Sequence, residues 1–478
     1  MEKLSNVYEQ MSSFANLEQA YRHARKQKRY RNEILVFSND LDSNLLWIQE
    51  EMRKGTFQFG PYRRHWVYVP KKRMVMSLPF DSRIVQWSIY LTLNPFYDKM
   101  FIEDSFACRK DKGSLKAARS LQYAMLKAEN KPGNWYVLKL DISKYFYRVD
   151  HKVLLDILAK RIDDPQLMNL LRIIIDSDGE KFGLPRFTSA EDVEAEQWLG
   201  DVGMPIGNLT SQLFANIYLN ELDQFCKHIL KIRIYKRYMD DVVILASTKE
   251  LAQFYKEEID RFLMEHLHLD LNAKTQIKPL DGRGIEFVGY IVTTKHAKTK
   301  KVKISSAGWR NGKPYQETKT KYILSDGGLL LRKQTARRIK ASFKGICRKY
   351  FNGELTKSEF DRRIASYDGI MQHCDTQKLE NRLNEIYLHA KEEADKNGWR
   401  KCCNCEYFRL DYFYGIQIRE CDKYGSLEGD QKARHPDTAA INCDYYKTRR
   451  WRAEKVSNLE MIETLCGIVD KQNHIIRE

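Results

Sequence analysis

The sequence predicts an α+β fold built on an antiparallel sheet, and three observations carry that expectation. Residues 135–143 (WYVLKLDIS) form a short, almost continuously apolar run that ends on an aspartate, as a buried strand delivering a carboxylate would. Residues 233–247 (RIYKRYMDDVVILAS) have the signature of a β-hairpin, two strand-like runs around a turn at Met239-Asp240-Asp241. Several long segments place apolar residues at helical spacing, among them 84–102 and 203–230.

Taken in order, residues 1–60 read as an N-terminal helical segment, and 66–72 (WVYVPKK) alternate like a strand ending in a basic cluster. The apolar helix of 84–102 begins just after Asp81-Ser82-Arg83. The polar, acidic stretch 176–201 reads as an exposed insertion, and the segment 203–230 begins with Pro and Gly and continues as a long helix. Residues 285–293 (IEFVGYIVT) read as a further strand. Residues 295–321 then carry nine Lys/Arg against the single acidic Glu317, and 329–351 form a basic amphipathic helix. An amphipathic helix over 459–475 closes the chain.

At 478 residues the chain exceeds one compact core, so several structural units are expected. No apolar run reaches membrane-spanning length, and the mixed-charge N-terminus lacks an apolar signal region. These features predict a cytoplasmic protein that uses no membrane. The 81 Lys+Arg against 64 Asp+Glu give a net charge of +17, a balance suited to a phosphate backbone.

The carboxylates carry the chemistry. Asp141 and the Asp240-Asp241 pair each end an apolar, strand-like run, where charge is costly unless it finds metal or partners. Nucleotidyl transfer needs two Mg²⁺ ions about 3.5–4 Å apart, and carboxylates are the hard ligands that suit them. A solvated turn is the competing account of the pair, because aspartate is common in turns.

The neighbouring segments favour the chemistry. Tyr238-Met239-Asp240-Asp241 and LDISKYFYRVD (140–150) resemble the aspartate-bearing motifs of reverse transcriptases. The resemblance implies a right-hand polymerase with Asp141, Asp240 and Asp241 as catalytic carboxylates and Ile142 within the Mg²⁺ site. It implies that Phe146 gates the sugar, excluding a 2′-hydroxyl, although a core aromatic on a helix face is the ordinary alternative. VPKKRMVMSLPFDSRIVQ (69–86) resembles the fingers region, with Lys71 and Arg73 meeting the triphosphate. FIEDSFACRKDKGSLKA (101–117) resembles the template-contacting segment, with Arg109, Lys112 and Gly113. MPIGNLTSQ (204–212) resembles the motif beneath the nascent pair, where Ile206 and Gly207 line the nucleotide pocket. LNAKT (271–275) and EFVGY (286–290) match later motifs, placing Lys274 near the triphosphate and Gly289 at the primer.

Ile206-Gly207 followed by Ser211-Gln212 is similar to the enzymes of diversity-generating retroelements, whereas most bacterial reverse transcriptases read Gln-Gly and Ser-Pro there. The extended C-terminus instead resembles defence-associated reverse transcriptases. In that extension Cys402, Cys405, Cys421 and Cys443 are candidates for a structural Zn²⁺ site, with reduced buried cysteines as the alternative.

The resulting expectation divides the chain into a helical segment (1–60), fingers (61–140) and palm (141–294, with the 176–201 insertion). A basic insertion (295–328), a helical thumb (329–398), a Cys-rich module (399–450) and a final helix (451–478) follow. The implied partners are dNTPs, a cognate noncoding RNA template, nascent cDNA, and an accessory protein or second copy of the chain. A non-catalytic RNA-binding protein on a polymerase scaffold is the rival reading.

Overall fold

A computed structural model describes residues 3–67, 73–177, 180–186, 188, 193–295, 299–310, 313–324, 329–352, 354–371, 374–396, 408–413, 416–421 and 425–426. The chain divides into two compact units, the first spanning 1–332 with 373–375 and the second the remainder.

The first unit is organised by a four-stranded sheet. Its order from edge to edge is Ile234–Tyr238, Asp241–Ala246, Tyr136–Asp141 and Gln276–Pro279, all neighbours antiparallel. The sequence explains the placement of the two inner strands. VLKL and VVILA are apolar nearly throughout, and Leu138, Leu140, Val242, Val243 and Ile244 are each at most 1% exposed. The helices Phe80–Met100, Leu209–Gln224 and Lys249–His266 contribute to the core beside it. The first of these is anchored on the N-terminal helix Phe14–Ala24, through Ser88 and Asn16 among others.

Several elements depart from the sequence reading. Of the 66–72 strand, residues 66–67 end the strand Arg63–Val67, which pairs with Arg73–Ser77, and 68–72 lie outside the described residues. The helix of 203–230 starts at Leu209, after the Pro- and Gly-bearing approach of Met204–Gly207 as expected, but its last turn widens into a π-helix at Phe225–Ile229. The 285–293 strand is two strands, Ile285–Phe287 and Tyr290–Val292, folded on each other. Val288 (φ +48°) and Gly289 (φ +90°) make the turn, a left-handed pair that a β-branched residue rarely joins. The 329–351 helix begins at Lys333; Leu329–Leu331 is a strand on Tyr290–Val292.

The 176–201 insertion is not wholly exposed. Phe182 and Leu184 are buried, Leu184 N donates to the Tyr147 carbonyl (3.1 Å), and Phe182 meets Tyr62 edge-on. Its short FGLP run supplies the apolar anchor that its acidic composition obscured.

The basic stretch after 295 forms a long hairpin, Thr299–Arg310 paired with Lys313–Leu324. In the second unit, helices Lys333–Phe351, Lys357–Met371 and Gln377–Lys396 share a core of Phe343, Ile346, Phe351, Phe360 and Leu383. Phe408–Phe413 and Ile416–Cys421 form a further hairpin. Cys402, Cys405, Cys443 and the 459–475 helix lie outside the described residues, and Cys421 is described by its strand position alone. No helix among the described residues is long and apolar enough to cross a membrane.

Candidate active site

The sheet register assembles the carboxylates. Asp141 ends the Tyr136–Asp141 strand directly opposite Asp241, the first residue of the Asp241–Ala246 strand. Asp240 sits in the two-residue turn with Met239, whose φ of +54° lets the hairpin close. Beyond Asp141 the chain is pinned by the LNAKT segment. Asn272 N donates to the Asp141 carbonyl (2.7 Å), Thr275 Oγ1 accepts from Asp141 N (3.3 Å), and Ser143 N donates to the Asp270 carbonyl (2.8 Å). Ile142 is buried and bridges to Leu271, so its neighbour Asp141 rests on a rigid floor.

Asp241 is in an unfavourable position for an isolated carboxylate. Its Oδ1 is buried without a hydrogen bond, and Lys139 Nζ stands 3.5 Å away while donating to the Glu286 carbonyl (2.6 Å). Burial pushes its pKa up to about 6, with Lys139 opposing the shift and Asp240 reinforcing it. Among the described residues no group of three or more His, Cys, Asp or Glu side chains is arranged to hold a metal ion. Mg²⁺ does not need such a group. It binds one or two carboxylates and completes its shell with water and substrate phosphates, and a register pair with an orphaned oxygen fits that pattern.

A stability prediction follows from the sign of this shift. A carboxyl whose folded pKa lies above its ordinary 3.8 destabilises the metal-free fold fully above about 6 and not below 3.8. With its side chain 30% exposed, Asp241 is partly screened. In EDTA at pH 8, Asp241→Asn therefore raises Tm by roughly 2–4 °C, the response of a large domain to about 1 kcal/mol. The gain disappears toward pH 4. Calorimetry at the two pH values checks it, and an unchanged Tm at pH 8 contradicts the burial argument.

Around the carboxylates the structure gathers other residues singled out in the sequence. Phe146 lies on a 3₁₀ turn (Tyr145–Tyr147), half-buried, its ring 5.5 Å from that of Tyr145. Its carbonyl accepts from Met204 N (2.7 Å), which ties the Met204–Gly207 approach to the Asp141 segment. The Ile206 carbonyl in turn accepts from Met76 N (2.8 Å), on the strand that begins at Arg73. Gly207, at φ +114°, makes this crossing. A Cβ there would lie 2.7 Å from Val75 Cγ1 and 3.0 Å from the Met76 carbonyl oxygen. Arg73 is exposed at the start of its strand, and its charge is felt by Tyr147. Lys71 lies outside the described residues. Lys274 is exposed, its backbone N donating to Asn272 Oδ1 (3.0 Å). Gly289 lies in the turn after Ile285–Phe287, next to Val288, whose backbone hydrogen-bonds to Asp241.

The 101–117 segment holds Arg109 and Lys112 in internal contacts. Arg109 is nearly buried, donating to Asp98 (2.6 Å), the Ile102 carbonyl (2.7 Å) and the Ser105 carbonyl (3.0 Å). Lys112 is similarly occupied, donating to the Glu103 carbonyl (2.7 Å) and pairing with the Glu103 carboxylate. Both cations thus shape their own loop, and Gly113 carries it into the Ser114–Glu129 helix.

Two features escaped the sequence reading. Lys144, Arg148, Arg186 and Lys256 line a cavity of about 460 Å³ beside Asn272 and Thr275. Beneath the Met239-Asp240 turn, Arg237 and Asp223 form a fully buried ion pair (2.6 Å). The signal was available as a charge within an otherwise alternating strand and an aspartate on an apolar helix.

Residues 64–292 match the family model of reverse transcriptase (RNA-dependent DNA polymerase). Within that span the chain is similar to reverse transcriptases, which supports RNA-directed DNA polymerase activity. Its sequence is 28% identical to Protein YkfC of Escherichia coli (strain K12) over 296 residues, covering 54% of this chain and 74% of that protein. It is 22% identical to the Group II intron-encoded protein LtrA of Lactococcus lactis subsp. cremoris over 320 residues, 53% of this chain and 50% of LtrA. A putative COX1/OXI3 intron 2 protein of Saccharomyces cerevisiae is 21% identical over 305 residues, 51% of this chain and 33% of its own length. The chain spans half or less of these intron-encoded relatives.

Proposed function

We propose that the chain synthesises cDNA on one cognate noncoding RNA, using Asp141, Asp240 and Asp241 at a two-Mg²⁺ site. The observation that carries this reading is the pairing of Asp141 with Asp241 at one end of the central sheet, with Asp240 in the adjoining turn. When bound, the metal supplies charge neutralisation at the attacking and leaving oxygens of a primer 3′-hydroxyl and a dNTP α-phosphate. The protein's own contribution is positional. The LNAKT hydrogen bonds hold Asp141, Phe146 limits the space beside the sugar, and Ile206 and Gly207 bring the floor of the pair against the Arg73 strand.

In this reading the sheet unit supplies fingers (from 61) and palm, and the helices from 333 supply the thumb. The hairpin of 299–324, on a stretch dense in lysine, suits an RNA backbone; its twelve paired positions per strand would span roughly 40 Å. A zinc site at Cys402, Cys405, Cys421 and Cys443 also belongs to the proposal. It is supported by the two-residue spacing of the first pair.

The setting is a diversity-generating retroelement or an anti-phage defence system. Ile206 supports the first: an apolar contact discriminates by about 1–3 kcal/mol, less than a hydrogen-bonded one. Wild type therefore misincorporates opposite template adenine more often than Ile206→Gln, roughly 10-fold for each 1.4 kcal/mol of discrimination gained. Sequencing cDNA from both proteins on one adenine-containing RNA reads the difference, and equal error spectra reject the fidelity role. Extension of oligo(dT) on poly(rA) with dTTP, in Mg²⁺ and again in EDTA, tests the activity itself; a protein that binds RNA yet never extends is the non-catalytic alternative.

A further inference from the structure

We infer that the Arg237–Asp223 pair is a positioning clamp for the catalytic turn, coupling it to the loop that contains Ser105. The inference rests on the catalytic reading of Asp240 and Asp241 and extends it one layer inward.

Both side chains are completely buried. Arg237 Nε and Nη2 donate to the two oxygens of Asp223 (2.7 and 2.6 Å), a forked geometry that only arginine makes. The fork leaves Nη1 aimed at the turn, where it donates to the Met239 carbonyl (3.2 Å) and to Asn216 Oδ1 (3.2 Å). Nη2 also reaches Ser105 Oγ (3.1 Å), and Tyr235 OH donates to Asp223 Oδ1 (2.7 Å).

The backbone doubles the connection. Arg237 N donates to the Asp104 carbonyl (2.9 Å), and the Arg237 carbonyl accepts from Phe106 N (3.0 Å), so residues 104–106 lie along the sheet's edge. Asn216 Nδ2 donates to the Ala107 carbonyl (2.9 Å), closing the circuit on the same loop.

The Met239 contact is the telling one. Met239 adopts a left-handed conformation that a non-glycine residue holds only when its surroundings fix it. Its carbonyl lies one peptide before Asp240, and the Arg237 donor fixes that peptide from below. A pair serving the core alone had no need to reach the turn. A buried ion pair is weak evidence for stability, since apolar residues of similar volume often replace one without loss. That leaves the orientation of the turn as what this arrangement provides.

Two variants test the clamp by extension of oligo(dT) on poly(rA) with dTTP. Arg237→Lys keeps the charge pair and loses the fork. Arg237→Met with Asp223→Leu and Tyr235→Phe removes every charge together. For both variants the expected result is native melting within a few degrees and template–primer affinity within twofold. With these, kcat falls at least tenfold and half-saturation moves to several-fold higher Mg²⁺. Unchanged kcat and Mg²⁺ dependence in folded variants overturn the clamp. Failure of both variants to fold also overturns it, because the pair then serves the core as a whole. Asp240→Asn runs alongside: if it extends normally the catalytic reading fails, whereas its inactivity beside two fully active pair variants sinks the clamp alone.

Discussion

Asp240→Asn combined with Asp241→Asn abolishes dTTP incorporation on poly(rA)/oligo(dT) while leaving RNA binding nearly intact. The expected loss is at least about 10³-fold, since a metal clamp contributes several kcal/mol of transition-state stabilisation. The amides preserve shape and can still form hydrogen bonds, so the hairpin should fold. Asp241 supports this in particular, because its carboxylate is a burden to the metal-free protein, with Oδ1 unsatisfied and its pKa pushed up to about 6. On the proposed reading RNA affinity rests on dispersed cations, including the lysines of 295–321, none of which the substitutions alter. Filter binding and primer extension on one preparation separate the two properties. Undiminished extension would remove the assignment.

Phe146→Ala raises ribonucleotide use relative to deoxynucleotide. The ring is half-buried and packs beside Tyr145, while its backbone is held independently by Met204 N. Truncation therefore opens space without releasing the turn. Forcing a hydroxyl against a packed ring costs about 1–3 kcal/mol, so the rNTP/dNTP ratio should rise roughly 10- to 100-fold. Competition of rUTP with dTTP on poly(rA) measures it. A folded, extending variant with an unchanged ratio returns Phe146 to the core.

Much of this site was legible in the sequence because its signals are local. A strand ending on Asp141 and a hairpin turning at Met239-Asp240 announce themselves by apolar runs and turn residues, and register then pairs Asp141 with Asp241. The Met204–Gly207 approach was equally readable from its proline and glycine. What failed to show was set by tertiary partners. Nothing local marks Val288 as left-handed, so two short strands read as one. The ion pairs of Arg109 with Asp98 and of Lys112 with Glu103 had no signal in the sequence. Composition hid Phe182 and Leu184 within an acidic stretch. Arg237 and Asp223 are fourteen residues apart, and only the fold makes them a pair.

The strand order also bears on how the protein is made. Tyr136–Asp141 occupies an inner position, but its partners Asp241–Ala246 and Gln276–Pro279 leave the ribosome a hundred residues or more later, at least about 5 s at ordinary elongation rates. Until then its apolar VLKL run has no sheet neighbour, which exposes a sticky segment during synthesis and delays closure of the sheet. Translation arrested near residue 200 should yield nascent chains that hold chaperones at this strand, and release them once residue 280 has emerged from the exit tunnel.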